Sequence, residues 1–222
     1  MPKDRLLFVK EGRARYISHL DLMRTFQRAF LRADIPIKHT EGFNPHPFIS
    51  IALPLSLGFA SQCEILEFGL LEGVEHTQVP QRLNAALPEG VRVRECYPGE
   101  RAMKELAWVD YRILMEPDGD PQRLRQSWSQ LLNRESWVVQ KPSKKAKSGA
   151  VEVDIPKLVK EFAFTGQSES GFEMRVTLGA QNPGLNPSVM VNALMGACPE
   201  LQPTILLYER MDVLDGDGKT FR

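Results

Sequence analysis

The spacing of apolar and polar residues divides the first half of the chain into helices and strands. Residues 5–10 form a short apolar run, and residues 91–97 alternate with a period of two, as half-buried strands do. Residues 19–33 repeat apolar side chains at helical spacing, with Ser18 as the predicted N-cap. The apolar stripe of this helix comprises Leu20, Leu22, Met23, Phe26, Ala29, Phe30 and Ala33.

A second group of elements follows a loop rich in Gly, Asn and Pro at residues 40–48. Residues 48–55 and 62–71 are predicted strands, and residues 77–87 a helix that begins at the N-cap Thr77. The order strand, helix, strand, strand, helix, strand is the split βαβ pattern called ferredoxin-like. Pro98 to Glu105 is the predicted boundary of this unit.

The same order recurs less clearly in the second half. Predicted strands cover residues 106–115, 137–140, 172–180 and 204–211, and predicted helices cover 121–133 and 187–197. Residues 151–155 are expected to pair back, and residues 158–164 to be extended or helical. We therefore predict an α+β fold of two tandem ferredoxin-like units with antiparallel sheets, at residues 1–100 and 101–222, the second with a basic insertion near 140–165.

Charge is balanced over the 222 residues but unevenly distributed. Lys plus Arg and Asp plus Glu both number 28, so no overall basic excess indicates a nucleic-acid-binding protein. The net charge is +4 for residues 1–50, −4 for 51–100, +4 for 101–150 and −4 for 151–222. Two interpretations stay open: chance segregation of solvated side chains, or two similar units that each carry a basic first half.

The composition also bears on the cellular compartment. No apolar run reaches about 18 residues, so no membrane span or membrane partner is expected. The first residues lack the apolar core of a signal peptide. Three widely spaced cysteines, Cys63, Cys96 and Cys198, are typical of small core residues and do not suggest a disulfide framework. These observations predict a cytoplasmic protein.

Three arginines give the first predicted helix an unusual polar face. Arg24, Arg28 and Arg32 recur every four residues and therefore stack along one side, where Asp21 can pair with Arg24 or Arg28. The face is either a solvated surface or a ridge that follows phosphate groups, because guanidinium groups match phosphate oxygens. Arg15 would extend such a ridge.

The segment that follows this helix concentrates side chains suited to nucleic acid. Phe43 can stack on a base, Asn44 and His46 can read base edges, and Lys38 adds charge. A purely structural Pro-rich turn is the alternative. The spacing of His19, His39 and His46 fits no compact zinc motif, so no metal and no cofactor are expected. Lys144 and Lys145, in a basic run, are either a solvated loop or a clamp for a polyanion.

Signals for catalysis are weak. The chain has no Gly-rich phosphate loop, no nucleophile-elbow serine and no paired-histidine motif. If the protein catalyses a reaction itself, His19 and His46 are the candidate general acid and base, because imidazole titrates near neutral pH.

A set of motifs lies within about residues 13–70: Tyr16, Ser18–Leu22 and Arg28–Ala29, then Gly42–Pro47, then Leu53–Leu55 with Gly58. These motifs specifically resemble those of a bacterial family of unknown function, the radical-SAM-linked proteins. Val153–Ile155 matches a further element of the family. The resemblance implies a radical-SAM enzyme as partner, since this chain lacks the Cys triplet that holds an iron–sulfur cluster.

Three functions are consistent with these features. The leading hypothesis is an accessory or substrate-binding module that works with a radical-SAM enzyme and binds structured RNA or a translation component. A stand-alone RNA-processing or RNA-modifying enzyme that uses His19 and His46 is the second, and a protein–protein adaptor is the third. The leading hypothesis requires the arginine ridge and the Pro-rich loop to converge in one basic pocket.

Overall fold

A computed structural model of the protein describes residues 3–117, 120–142, 149–167, 171–181, 183–199 and 202–222. Within these residues the fold is mixed α/β, with mostly antiparallel strands and few helices. The expectation of an α+β protein with antiparallel pairing is confirmed at this level. The chain divides into two units, Met1–Glu105 with Glu209–Met211 and Arg222, and Leu106–Tyr208 with Asp212–Phe221.

The first unit contains two helices on a sheet. Its elements are β1 (Lys3–Lys10), α1 (His19–Arg32), β2 (Ile49–Ile51), β3 (Ala60–Phe68), α2 (Val79–Asn84) and β4 (Val91–Gly99). Strand β1 lies between β4 and β3 and is antiparallel to both, and β2 pairs antiparallel with β3. Glu209 and Arg210 pair in parallel with Ala60 and Ser61 of this unit.

The core of the first unit confirms most of the predicted apolar stripe of α1. The side chains Leu22, Phe26, Ala29 and Phe30 are buried, and Met23 and Ala33 pack against the same cluster. Phe26 meets Phe8 of β1 edge to face, with ring centroids 4.8 Å apart. Leu20 departs from the prediction: it is 65% exposed, because it lies on the outer side of the helix. The stripe therefore orients α1 and leaves its arginines facing solvent.

Two predicted elements of the first unit are shorter than expected. Helix α2 begins at Val79 after a 3-10 turn at His76–Gln78, so Thr77 is not its N-cap. It ends at Asn84, whose side-chain amide donates to the carbonyl of Val93 and accepts from the Val93 backbone N–H. Strand β2 stops at Ile51, and Leu53 adopts a left-handed φ of 47° that breaks the extended backbone.

The second unit contains a sheet, two helices and a separate hairpin. Its elements are β5 (Trp108–Pro117), α3 (Pro121–Leu132), β6 (Val138–Pro142), β7 (Ala150–Asp154), β8 (Val159–Gln167), β9 (Phe172–Gly179), α4 (Pro187–Ala197) and β10 (Pro203–Leu214). The strand order of its sheet is β10-β5-β9-β8. Strands β6 and β7 form a hairpin of their own, so the expectation that residues 151–155 pair back is confirmed. Residues 159–167 are extended, not helical.

Buried charge anchors the segment that leads into α1. The Lys10 ammonium is buried and donates to the carbonyls of Arg15 and Ile17, at 3.2 and 2.9 Å. Burial lowers the pKa of Lys10, while the nearby Glu64 carboxylate opposes that shift. Glu64 in turn accepts a 2.8 Å hydrogen bond from Arg210. This network fixes the turn that precedes α1 and so positions the start of the helix.

Candidate functional site

One of the three arginines of α1, Arg24, forms an ion pair with Asp21 near the start of the helix. Ser18 caps the helix as predicted: its hydroxyl accepts from the Asp21 backbone N–H and donates to the Asp21 carboxylate. Arg24 forms a 3.2 Å ion pair with Asp21. The Ser18 hydroxyl, followed by Arg24, holds the pKa of Asp21 below its usual value. Arg24 therefore has an ion-pair partner within the helix, and the charge of Arg28, farther along, also acts on the Asp21 carboxylate.

An open groove on one flank of α1 brings three arginines together. This arginine groove has a volume of about 830 Å³ and is lined from α1 by Thr25, Arg28 and Arg32 and from α2 by Arg82. Its remaining lining residues are Ala33 and residues 85–88, which are Ala, Ala, Leu and Pro. Among the described residues, no carboxylate lines this groove, so its lining carries a net positive charge.

Two of these arginines, Arg32 and Arg82, also donate hydrogen bonds to carbonyl groups at or just after the C-termini of α2 and α1. Arg82 donates through Nε and Nη2 to the carbonyl of Ala33, at 3.1 and 2.8 Å, and Arg32 donates to the carbonyl of Ala86 at 2.8 Å. Cations at helix C-termini are stabilising, because the last carbonyl groups lack helical partners. Arg28 has no hydrogen-bond or ion-pair partner among the described residues. Arg28 is therefore the guanidinium of this groove with all its donors available.

The Pro-rich loop after α1 is closed by hydrogen bonds at its base. The backbone N–H of Thr40 donates to the carbonyl of His46 at 2.8 Å, and the His46 N–H donates to the Thr40 hydroxyl at 3.2 Å. The Nδ1 atom of His46 lies 3.1 Å from the same hydroxyl. Phe43, at the tip, has a relative exposure of 111%, and Asn44 is exposed beside it. The loop thus holds an aromatic ring entirely in solvent.

The base of this loop borders a second, apolar groove. Six of the residues that line this apolar groove, which measures about 290 Å³, are Phe30, Leu31, Ile37, His39, Pro47 and Leu71. It shares no lining residue with the arginine groove. At 100° per residue, the mean directions of the α1 residues that line the two grooves lie about 140° apart around the helix. The arginine ridge and the Pro-rich loop therefore flank α1 on different sides and do not form the single pocket that the sequence predicted.

The remaining predicted site residues are dispersed. Arg15 is half-buried in the turn before α1, where its carbonyl accepts from Gly58 and Lys10. Lys38 is half-buried, and its side chain occupies the space that a Cβ at position 69 would need, which explains Gly69. Lys144 and Lys145 lie outside the described residues.

The two histidines considered for catalysis have separate surroundings. His19 is the first residue of α1, whereas His46 closes the Pro-rich loop, and no described hydrogen bond joins them. Among the described residues, no group of three or more His, Cys, Asp and Glu side chains is arranged to hold a metal ion. The three cysteines are buried, and burial raises the pKa of Cys96 to about 12. Their predicted role as core residues is confirmed.

Sequence reasoning missed Arg82, Leu31 and Leu71. Arg82 lies in a different helix, and its neighbourhood to Arg28 arises from the packing of α1 and α2 over one core. Leu31 is 81% exposed and Leu71 is 42% exposed, although both are apolar. Leu31 lies outside the apolar stripe of α1, and this position was the signal in the sequence that could have revealed it. No described helix is long and apolar enough to cross a membrane.

Comparison with known proteins shows a fold likeness and a family. In a crystal structure of a Cbf5-Nop10-Gar1 complex, the matching chain is 10% identical, with a TM-score of 0.54. The match covers 95% of this chain and 48% of that one, so this chain spans about half its length. An archaeal box H/ACA sRNP Nop10-Cbf5 complex matches at 9% identity and a TM-score of 0.48, over 93% and 46% of the two chains. At these identities the first likeness concerns the fold alone.

No curated protein matches the chain by sequence. A family model does, over residues 3–187, and it describes an uncharacterized protein conserved in bacteria. The expectation of a bacterial family of unknown function is confirmed at that level. The chain belongs to this family, DUF2344.

Proposed function

We propose that this protein binds structured RNA through the arginine groove and serves as an accessory or substrate-binding module for a radical-SAM enzyme. The observation that carries RNA binding is the groove itself: Arg28, Arg32 and Arg82 line one open surface, and none of its described lining residues is a carboxylate. Guanidinium groups form paired hydrogen bonds with phosphate oxygens, and a row of them follows a phosphate backbone. Arg28, with no described partner, is the principal contact.

The proposal includes the finer fold assignment of two tandem ferredoxin-like units. In its support, the first unit has the strand order β4-β1-β3-β2 and the second the order β10-β5-β9-β8. In the first unit, β1 lies between β4 and β3, and in the second, β5 lies between β10 and β9. In both units the first strand is thus flanked by the last strand and by the strand that precedes the second helix, α2 or α4. The hairpin β6-β7 is then the insertion of the second unit.

The radical-SAM partner is proposed from the resemblance of the motifs around Ser18–Leu22 and Gly42–Pro47. The buried, widely separated cysteines of this chain leave the iron–sulfur cluster to the partner. Co-expression with a radical-SAM enzyme from the same bacterium, followed by affinity purification with and without nuclease, tests the association. Retention after nuclease treatment supports direct contact, whereas loss of the enzyme in both samples contradicts it.

The RNA-binding proposal is tested by charge reversal with a matched control. Arg28→Glu is expected to weaken binding to total cellular RNA about tenfold at low salt, because it replaces a phosphate contact with repulsion. Arg24→Glu carries the same charge change on the same helix but lies outside the groove, so a smaller loss is expected. Filter binding measures both. Equal affinities for wild type and Arg28→Glu, or no RNA retention by the wild type, contradict the proposal.

A further inference from the structure

We propose that the apolar groove holds an unpaired base of single-stranded RNA, with Phe43 as a stacking platform beside it. This inference rests on the proposed function, because the same strand would carry its phosphates on Arg28 in the arginine groove. It assigns a second, base-binding site to the opposite flank of the helix.

The exposure of apolar side chains around this groove indicates a binding surface. Phe43 is 111% exposed, Leu31 81%, Leu71 42% and Phe48 39%. Leu31 and Leu71 line the groove, and the two phenylalanines lie within and directly after the loop that borders it. Leu31 and Leu71 share one groove, and exposed apolar side chains in a groove mark a surface that binds another molecule, because their hydration is unfavourable.

The dimensions and lining of the groove suit a nucleobase. Its volume of about 290 Å³ is near the lower end of small-ligand sites. Phe30, Leu31, Ile37, Pro47 and Leu71 provide apolar walls, while Gln27, Asp34 and His39 place polar atoms at its borders. Apolar walls with a few convergent hydrogen-bonding groups are typical of sites that hold a splayed-out base by stacking and by its polar edge.

The backbone that carries Phe43 is closed by contacts at the base of its loop. The hydrogen bonds between Thr40 and His46 enclose the five residues between them, and the bridge between His39 and Pro47 lies directly below, beside the groove. A closed loop loses less backbone freedom than an open one when a base stacks on its side chain. The loop therefore lowers the entropic cost of binding at Phe43.

The charges between the two flanks favour a nucleic acid as the occupant. Arg24 and Arg28 are exposed on α1 between the apolar groove and the interior of the arginine groove. A helix is about 10 Å wide, so a short single strand crossing α1 can place phosphates at Arg28 and a base in the apolar groove. A duplex cannot do this, because its bases are stacked and paired. The groove therefore selects single-stranded over double-stranded RNA.

Fluorescence anisotropy with two labelled RNAs tests this selection. The probes are a single-stranded oligoadenylate of about 12 nucleotides and a fully paired hairpin of similar charge. Phe43→Ala is expected to weaken binding of the single strand about fivefold or more and to change binding of the hairpin little. Leu57→Ala, at a 63% exposed leucine outside the groove, is the matched control and should leave both affinities unchanged. Leu31→Ala should act in the direction of Phe43→Ala.

The outcomes separate this inference from the proposed function. If Phe43→Ala and Leu31→Ala leave single-strand binding unchanged while Arg28→Glu weakens both probes, the base site is wrong and the phosphate site stands. If these two variants lose only co-purification with the radical-SAM enzyme, the apolar groove is a protein-docking surface and the inference is overturned. If the wild type binds neither probe, both proposals fail.

Discussion

The arginine groove and the apolar groove are both lined in part by α1, yet one is basic and the other is mostly apolar. On one flank, Arg28 and Arg32 meet Arg82 of α2 in a groove without carboxylates. On the other, Leu31 faces Pro47 and Leu71 in a groove with mostly apolar walls. Both depend on the same buried stripe for their orientation. The difference shows that neighbours from other elements, more than the helix itself, decide what each side of α1 can bind.

A substitution in the buried stripe that orients α1 is expected to have the largest effect on stability. Phe26 is fully buried against Phe8, so Phe26→Ala should lower the free energy of unfolding by about 3–5 kcal/mol, through lost burial and a cavity. Urea denaturation measures this change. Phe43→Ala, at an exposed ring, should leave the unfolding midpoint unchanged. Equal midpoints for Phe26→Ala and wild type would show that the two flanks do not share this support.

Loss of the hydrogen bonds from Arg82 to the end of α1 should affect the arginine groove selectively. Arg82→Ala removes hydrogen bonds to the carbonyls of Ala33 and Asp34 at the end of α1. We expect a loss of about 1–2 kcal/mol in unfolding free energy and weaker binding of the hairpin RNA. Thermal denaturation and anisotropy measure the two effects. A stable variant with unchanged hairpin affinity would contradict a role for Arg82 in both.

Salt dependence should distinguish the flanks without a change in stability. Arg28→Glu is expected to reduce the slope of log affinity against log salt concentration by about one, since one phosphate contact is lost. Phe43→Ala should lower the single-strand affinity at every salt concentration and leave the slope unchanged, because stacking releases no counterions. A titration of binding against potassium chloride provides both slopes. If Phe43→Ala changed the slope and Arg28→Glu did not, the assignment of phosphate binding to Arg28 and base stacking to Phe43 would be wrong.

The smallest expected effect is a pH dependence at the start of α1. The pKa of Asp21 is lowered from 3.8, so the charged carboxylate stabilises the folded state at pH values above 3.8. That contribution disappears as the pH falls through the lowered pKa. The Tm of Asp21→Asn should therefore lie slightly below that of the wild type at pH 7 and approach it in acid. Thermal melts across this range check the sign, and a difference that grows in acid would contradict it.

Local patterns in the sequence were sufficient for the elements that carry the site. The Ser18 cap and the stripe through Phe26 predicted α1 closely, because capping and helical spacing act between residues near in sequence. The predicted helix at 187–197 is likewise present as α4, where the Asn186 side chain caps the N-terminus by accepting from the Ser188 N–H. Helix α2 was predicted too long: a 3-10 turn at His76–Gln78 takes its first residues, and its last residue, Asn84, bonds with Val93 of β4, a contact between elements that the local pattern does not contain.

The sequence alone determined that α1 is amphipathic, that its arginines face solvent, and that a stiff loop with Phe43 follows it. Only the tertiary structure decided that Arg82 joins Arg28 and Arg32, and that the loop lies on the other flank beside Leu31 and Leu71. The physical reason is the range of the interactions. Capping and helical periodicity operate within a few residues, whereas a groove is formed where separate elements pack over a shared core.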